Sequence, residues 1–280
     1  MKPPPFTYHA PRDVGAALRT LAEVAAAGGK VLAGGQSLIP MLNMRLAAPP
    51  HLVDINRVAG LDGLEVTAEG VRVGALVRHS DAERAGAHPL LTKALRLVAH
   101  PVIRNRGTVV GSLVHADPAA ELPAVLAVLG GHVRLARWSD GAESVRDVPA
   151  AEFFTGPMES AVRPGELAVS AFFPALEEGA GAAFHEVARR HGDYALAGVC
   201  ALVTPDGRAR LACIGVGPVP VVVDLDDAHD LAGAAAAVRA ATDPDDDLHA
   251  TAAYRRHLVG VLAERALREA AREGARAGDA

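Results

Sequence analysis

Residues 31–40 read VLAGGQSLIP, a short apolar run broken by two glycines and a serine before apolar residues resume. A strand that simply reversed would carry Asn-Gly or Asp-Gly at such a point. Glycine has no Cβ, so the pair can take positive φ and let another group approach the backbone closely. Successive N–H groups turned toward one point make an anion-binding nest, and the Ser37 hydroxyl adds a donor. The stretch therefore reads either as a plain turn or as a cradle for a pyrophosphate.

Working outward, DVGAALRTLAEVAAAGG places Val14, Leu18, Leu21 and Ala25 at helical spacing, opens on Asp13 as a cap and closes on Gly28-Gly29. KVLA then reads as a short strand before the glycines, and HLVDI at 51–55 as another after them. This α-then-β pattern makes a small lobe over residues 1–57. A second lobe spans 58–175, where EGVRVGALV reads as a strand and PLLTKALRLVAH as a helix from Pro89 to about Ala99. VVGSLVH reads as a strand that enters a helix through HADPAAELPAVLAVLGG. HVRLARWSDGAESVRDV is a hairpin turning at Asp140-Gly141, and ELAVSAFF closes the lobe. Beyond it, residues 176–280 show a hairpin at Pro205-Asp206-Gly207 and a helical region after Asp224. The acidic loop TDPDDD (242–247) divides that region. Its last helix is amphipathic, with Leu258, Val261, Leu262 and Leu267 on one side, and reads as a packing or subunit-contact helix.

Composition removes several classes of function. Of 280 residues half are hydrophobic and 22% charged, with net charge −5, so the chain can bury a sizeable core and is not disordered. No basic stripe with interleaved aromatics supports nucleic-acid binding. No apolar stretch approaches the ~18 residues that span a bilayer, and the opening MKPPPFTYHAP does not read as a secretory signal. The two cysteines, Cys200 and Cys213, lie in apolar runs and read as buried, inert thiols suited to a reducing cytoplasm. Without a C-x-x-C pair the chain supplies no cysteine-ligated iron–sulfur or zinc site. It also lacks G-x-G-x-x-G, and GGK at 28–30 is followed by Val31, so it holds no P-loop. A nucleotide ligand here requires a non-Rossmann fold.

A second small-residue stretch, RNRGTVVGSLVHADPAAELP (104–123), repeats the theme with Gly107, Thr108, Gly111 and Ser112. Asp117-Pro118 reads as an N-cap and first-turn pair. Glu121 then falls one place beyond the capping-box position and is free for another task. His115, Asp117 and Glu121 resemble a metal cluster in type, but the cap accounts for Asp117 and no fourth ligand presents itself, so no metal site is assigned.

Together LAGGQSLIPMLNMRL, GTVVGSLVHADPAAELPA and RRHGDYALAGV, in that order, resemble the FAD-binding medium subunit of the molybdenum hydroxylases. That family includes aerobic carbon monoxide dehydrogenase and bacterial xanthine dehydrogenase. The likeness covers nearly the whole chain, through VGPVP to the helical C-terminus. It implies an α+β protein: a two-lobed FAD-binding fold of the vanillyl-alcohol oxidase (PCMH) type at 1–175, then an α+β C-terminal domain at 176–280 with a small antiparallel sheet and helices. The implied cofactor is FAD. Ala33, Gly34, Gly35, Gln36 and Ser37 would wrap its pyrophosphate with backbone amides, flanked by Leu32 and Leu38. Thr108, Val109, Val110, Gly111 and Ser112 would close on the dinucleotide from the other lobe. Glu121 takes the place of an acidic residue near the cofactor, and Tyr194 that of an aromatic covering one isoalloxazine face.

The family usually reads T-I-G-G-N or T-V-G-G-S, and Val110 stands where the first glycine belongs. If that position has positive φ, valine there costs about 1–3 kcal/mol of local strain and loosens FAD. Val221-Val222-Val223 also stands where a basic residue is expected, with no role attached. The resemblance implies an electron-transfer subunit that receives electrons from an iron–sulfur partner and passes them to an external acceptor. A large molybdopterin subunit and a small iron–sulfur subunit are the implied partners, as a dimer of heterotrimers in the cytoplasm. No residue is assigned a catalytic role; Arg189, Arg190 and Asp193 either tune the flavin or partner contact or form a solvated charged face. Two alternatives stay open. One is a stand-alone FAD oxidase or dehydrogenase, which needs an acid or base that the sequence does not name. The other is a structural subunit without FAD, supported by Val110 alone.

Overall fold

The computed structural model describes residues 2–278. The first lobe holds β1 (Thr7–His9), α1 (Val14–Val24), β2 (Lys30–Leu32), α2 (Leu38–Met44) and β3 (His51–Asp54). Its sheet runs β1-β3-β2 and is parallel throughout. Asp13 caps α1 by accepting the Ala16 amide at 2.7 Å, and Ala17, Leu18, Leu21 and Val24 face the core. β1 lies in the Pro-rich opening, where the sequence reading placed no strand.

The second lobe is a five-stranded antiparallel sheet, β4-β5-β10-β6-β7, flanked by short helices. Its elements in chain order are β4 (Leu64–Val66), β5 (Gly70–Gly74), α3 (His79–Ala85), α4 (Pro89–Leu95), α5 (Pro101–Arg104), α6 (Val109–His115) and α7 (Glu121–Leu129). Then follow β6 (His132–Ser139), β7 (Ala142–Pro149), α8 (Ala150–Phe153), the ribbon β8 (Phe154–Gly156) and β9 (Glu159–Ser160), and β10 (Glu166–Pro174). Asp140 and Gly141 turn the β6–β7 hairpin with φ of 55° and 79°, as a two-residue hairpin requires.

Three expectations change here. Residues 109–115 form helix α6, not a strand, because extended Thr108 caps it: the Thr108 hydroxyl accepts the Gly111 amide at 3.1 Å. Val109, Val110 and Leu113 then share a face in the core. Val110 has ordinary helical backbone and is 2% exposed, so the expected strain does not arise. Asp117 does not cap the following helix. It accepts the Ala119 amide at 2.8 Å in a tight turn, Ala120 takes the N-cap position and Glu121 is the first residue of α7.

The chain ends in a four-stranded antiparallel sheet, β11 (Gly181–Ala188), β12 (Ala195–Val203), β13 (Ala209–Ile214) and β14 (Val221–Leu225), in sequential order. Helices α9 (Leu231–Ala241) and α10 (Ala252–Gly278) cover one face. Val199, Leu211 and Cys213 meet Leu258, Val259 and Leu262 there. The other face carries Phe184, Cys200, Ala212 and Ile214 into the core of the second lobe, beside Leu90, Leu122 and Leu126. Val221-Val222-Val223 is part of the edge strand β14. Among the described residues no helix is long and apolar enough to cross a membrane.

Candidate functional site

The first small-residue loop leaves β2 at Leu32 and enters α2 at Leu38. Gly34 is buried at its centre: a Cβ there would collide with the Arg106 carbonyl oxygen and lie 2.8 Å from the Gly107 Cα. The two small-residue stretches, from separate lobes, are therefore in backbone contact. Gly35 has φ of 75°, and a side chain there would also crowd Leu32 and Ile39 at 3.2 and 3.1 Å. Among the described residues no hydrogen bond uses the amides of Gly34, Gly35, Gln36 or Ser37. The Gln36 side chain turns back to the Gly34 carbonyl at 3.3 Å. Ser37 precedes α2, yet its hydroxyl makes no capping bond. Uncommitted N–H and O–H donors at one turn suit an anion.

The second stretch is more committed. The Val109 amide donates to Val77 O at 3.1 Å, and the Gly111 and Ser112 amides to the Thr108 hydroxyl and carbonyl at 3.1 Å each. The amides of Thr108 and Val110 are left over among the described residues. Val109 and Val110 place their side chains in the core, and Gly111 is glycine because a Cβ would lie 2.5 Å from the capping Thr108 oxygen. Ser112 is half-buried, and its hydroxyl lies 2.9 Å from the Nε2 of His79.

Sequence reasoning missed the residues that brace the junction. The Arg78 guanidinium donates to Arg106 O and to Asn56 Oδ1, both at 2.7 Å. Asn56 in turn donates to Ala33 O at 2.8 Å and to Asp54 Oδ1 at 2.6 Å. One arginine thus ties both loops together. The neighbouring His79 is buried, with Nε2 2.9 Å from Ser112 Oγ, and burial pushes its imidazole down to about 4 against an opposing pull from the Thr108 backbone. Only the folded chain brings these partners together, so no local motif marks them.

Beyond α6 lies a second group, of three carboxylates and one tyrosine. Glu121 is buried, and burial, assisted by the negative charge of Glu186 on β11, pushes its carboxyl up to about 8. Burial raises Glu186 to about 7, and its Oε2 has no hydrogen-bond partner. Tyr194, just ahead of β12, leaves 62% of its surface open. Its phenol is pushed up by partial desolvation and by the charges of Asp117 and Glu121, which places these groups in one neighbourhood. The loop carrying Tyr194 turns at Gly192, φ 84°, directly over His100. Arg189 and Asp193 pair with each other at 3.4 Å on the surface. Among the described residues no three His, Cys, Asp or Glu side chains group to hold a metal ion.

The donors at the loop junction fit a diphosphate, and the exposed face of Tyr194 fits an aromatic ring. Residues 4–176 match the family described as "FAD binding domain in molybdopterin dehydrogenase", and residues 182–270 that described as "CO dehydrogenase flavoprotein C-terminal domain". The chain is 40% identical to the 6-hydroxypseudooxynicotine dehydrogenase complex subunit alpha of Paenarthrobacter nicotinovorans, over 96% of each chain. It is 34% identical to the carbon monoxide dehydrogenase medium chain of Hydrogenophaga pseudoflava, over 96% of this chain and 98% of that one. A chain of quinoline 2-oxidoreductase from Pseudomonas putida 86 superposes with a TM-score of 0.89 at 33% identity, over 98% of this chain and 99% of that one.

Proposed function

The chain belongs to the FAD-binding medium subunits of the molybdenum hydroxylases, and from that membership we propose that it holds FAD across the Gly34–Gly107 junction and relays electrons from an iron–sulfur partner to an external acceptor. The observation that carries this reading is the contact between two small-residue loops, the first of which leaves the amides of Gly34, Gly35, Gln36 and Ser37 without a hydrogen-bond partner among the described residues. FAD, when bound, supplies the redox chemistry; the protein binds it, orients it and controls access to it. The amides of Gly34, Gly35, Gln36 and Ser37 and the hydroxyls of Ser37 and Ser112 hold the diphosphate. Ala33 anchors the loop through its carbonyl, with Leu32 and Leu38 on either side. Thr108, Val109, Val110 and Gly111 fix the second loop by capping and core packing, and the Thr108 and Val110 amides, without partners among the described residues, would be free to meet the cofactor.

Burial pushes the Glu121 carboxyl up to about 8, which favours its protonated form near neutral pH, a neutral acid that both donates and accepts hydrogen bonds. Tyr194 covers one face of the flavin ring, a stacking worth roughly 1 kcal/mol beyond area burial. No general base is needed, because the organic substrate reacts on another subunit. Residues 1–175 form the FAD-binding part, with lobes 1–57 and 58–175, and residues 176–280 the C-terminal domain; the three main sheets fall one to each segment. The partners are a large molybdopterin subunit and a small iron–sulfur subunit, assembled as a dimer of heterotrimers in the cytoplasm.

Purification from the native host tests this reading. The chain should emerge with molybdenum and iron in its complex and one FAD per copy. Removing FAD should stop electron delivery to the acceptor while the iron–sulfur centres still reduce. A chain that emerges alone and takes up no FAD overturns the reading.

A further inference from the structure

His79 is 3% exposed and its ring lies between the two parts of the second loop. Nε2 is 2.9 Å from Ser112 Oγ, while the backbone amide donates to the Gly107 carbonyl at 3.0 Å. Nδ1 is buried with no hydrogen-bond partner. It faces Gly107 closely enough that a Cβ there would lie 2.8 Å from both Nδ1 and Cε1. Gly107 is also the residue that Gly34 of the first loop abuts.

A neutral imidazole carries one proton, on one nitrogen. On Nδ1 that proton would lie buried beside Gly107 with no hydrogen-bond partner, and an orphaned buried donor is costly. On Nε2 it meets the Ser112 hydroxyl. Burial and the nearby Arg104 and Arg78 charges keep the ring neutral, so this tautomer persists. With the Ser112 oxygen already accepting, its own proton must go to another acceptor.

We propose that His79 is a positioning residue of the cofactor cradle: by donating from Nε2 it makes Ser112 an obligate hydrogen-bond donor to the diphosphate of the bound dinucleotide. The inference rests on the FAD reading above and adds to it the residue that orients one donor. It also accounts for Gly107, since any side chain there would displace the imidazole.

FAD titration of the full-length apo chain tests it with His79→Ala, His79→Gln, Ser112→Ala and the double variant. Ser112→Ala and His79→Ala should each weaken FAD about tenfold or more. The double variant should bind no worse than Ser112→Ala alone, because His79 acts only through that hydroxyl. His79→Gln, whose amide can donate in place of Nε2, should restore most of the affinity. Fully additive losses, or an unchanged affinity in His79→Ala, would overturn the role. Should His79→Ala not fold, nitrogen NMR of the histidine ring in the FAD-bound wild type decides: an Nε2–H tautomer supports the proposal and an Nδ1–H tautomer sinks it. Gly34→Val separates the two levels. If it and Ser112→Ala lose FAD while His79→Ala does not, only the inference fails; if all bind FAD as wild type does, the cradle itself is wrongly placed.

Discussion

At Gly34 the demand for glycine comes from another part of the chain, since its Cα lies against the Arg106–Gly107 backbone. Gly34→Val should therefore part the loops and leave the chain folded with little bound flavin. Flavin absorbance per chain, read beside an unchanged circular dichroism spectrum, checks this; full flavin content would exclude the assigned cradle. Tyr194→Ala should bare one ring face, shifting the flavin potential and spectrum, and identical values in both proteins would remove the stacking role. Glu121 gives a pH signature in the cofactor-free chain. Its folded pKa, about 8, exceeds the ordinary 4.5, so protonation supports the fold fully below pH 4.5 and that support is lost as pH rises through about 8. Glu121→Gln, a permanent mimic of the protonated acid, should melt with wild type near pH 5 and several degrees above it near pH 9, at about 2–4 °C per kcal/mol. Coincident melting curves at both ends would show that the carboxyl is not held neutral. The glycines and Ser37 were readable in the sequence because their peculiarity is local. Arg78, 28 residues from the carbonyl that it binds, was not, since an arginine ahead of a short helix looks like any solvated charge.

Helix α6 shows how local preference yields to a cap and a core. VVGSLVH has the β-branched content of a strand, and its reading as one followed from that propensity. Thr108 reverses the outcome by satisfying the Gly111 amide, while Val109, Val110 and Leu113 bury one face. The same cap fixes the turn of helix that carries Ser112. Thr108→Ala should cost about 0.5–2 kcal/mol of stability and also weaken FAD, whereas Thr108→Ser should keep both. Thermal melting and FAD titration of the two variants separate these effects. If alanine lowers stability without touching FAD affinity, α6 is a packing element and not part of the cradle. The hairpin at Asp140-Gly141 and helix α1 were legible because turn and cap chemistry is written in adjacent residues. β1, three residues in a Pro-rich opening, exists only through its pairing with β3 across the lobe.

Over the whole molecule, the end of the site proposed for the flavin depends on how the C-terminal sheet sits against the second lobe. Glu186 and Tyr194 come from that sheet and its loops, Glu121 and Asp117 from the lobe, and the Gly215 amide donates to Pro118 O at 2.9 Å between them. The contact is apolar and continuous: Phe184, Cys200 and Ile214 belong to the same core as Leu90 and Leu126. Domains joined this way should not part while each stays folded. The two cysteines report on that directly, since Cys200 faces the lobe and Cys213 faces α10 on the opposite side of the sheet. Burial raises both thiols, Cys213 to about 12, so neither reacts while covered. In mild denaturant, labelling followed by mass spectrometry should modify both at one rate, that of global unfolding. Early modification of Cys200 alone would mean that the lobe and the sheet separate first. The face proposed for the flavin, between Glu121 and Tyr194, would then open and close on its own, gated instead of held rigid by a shared core.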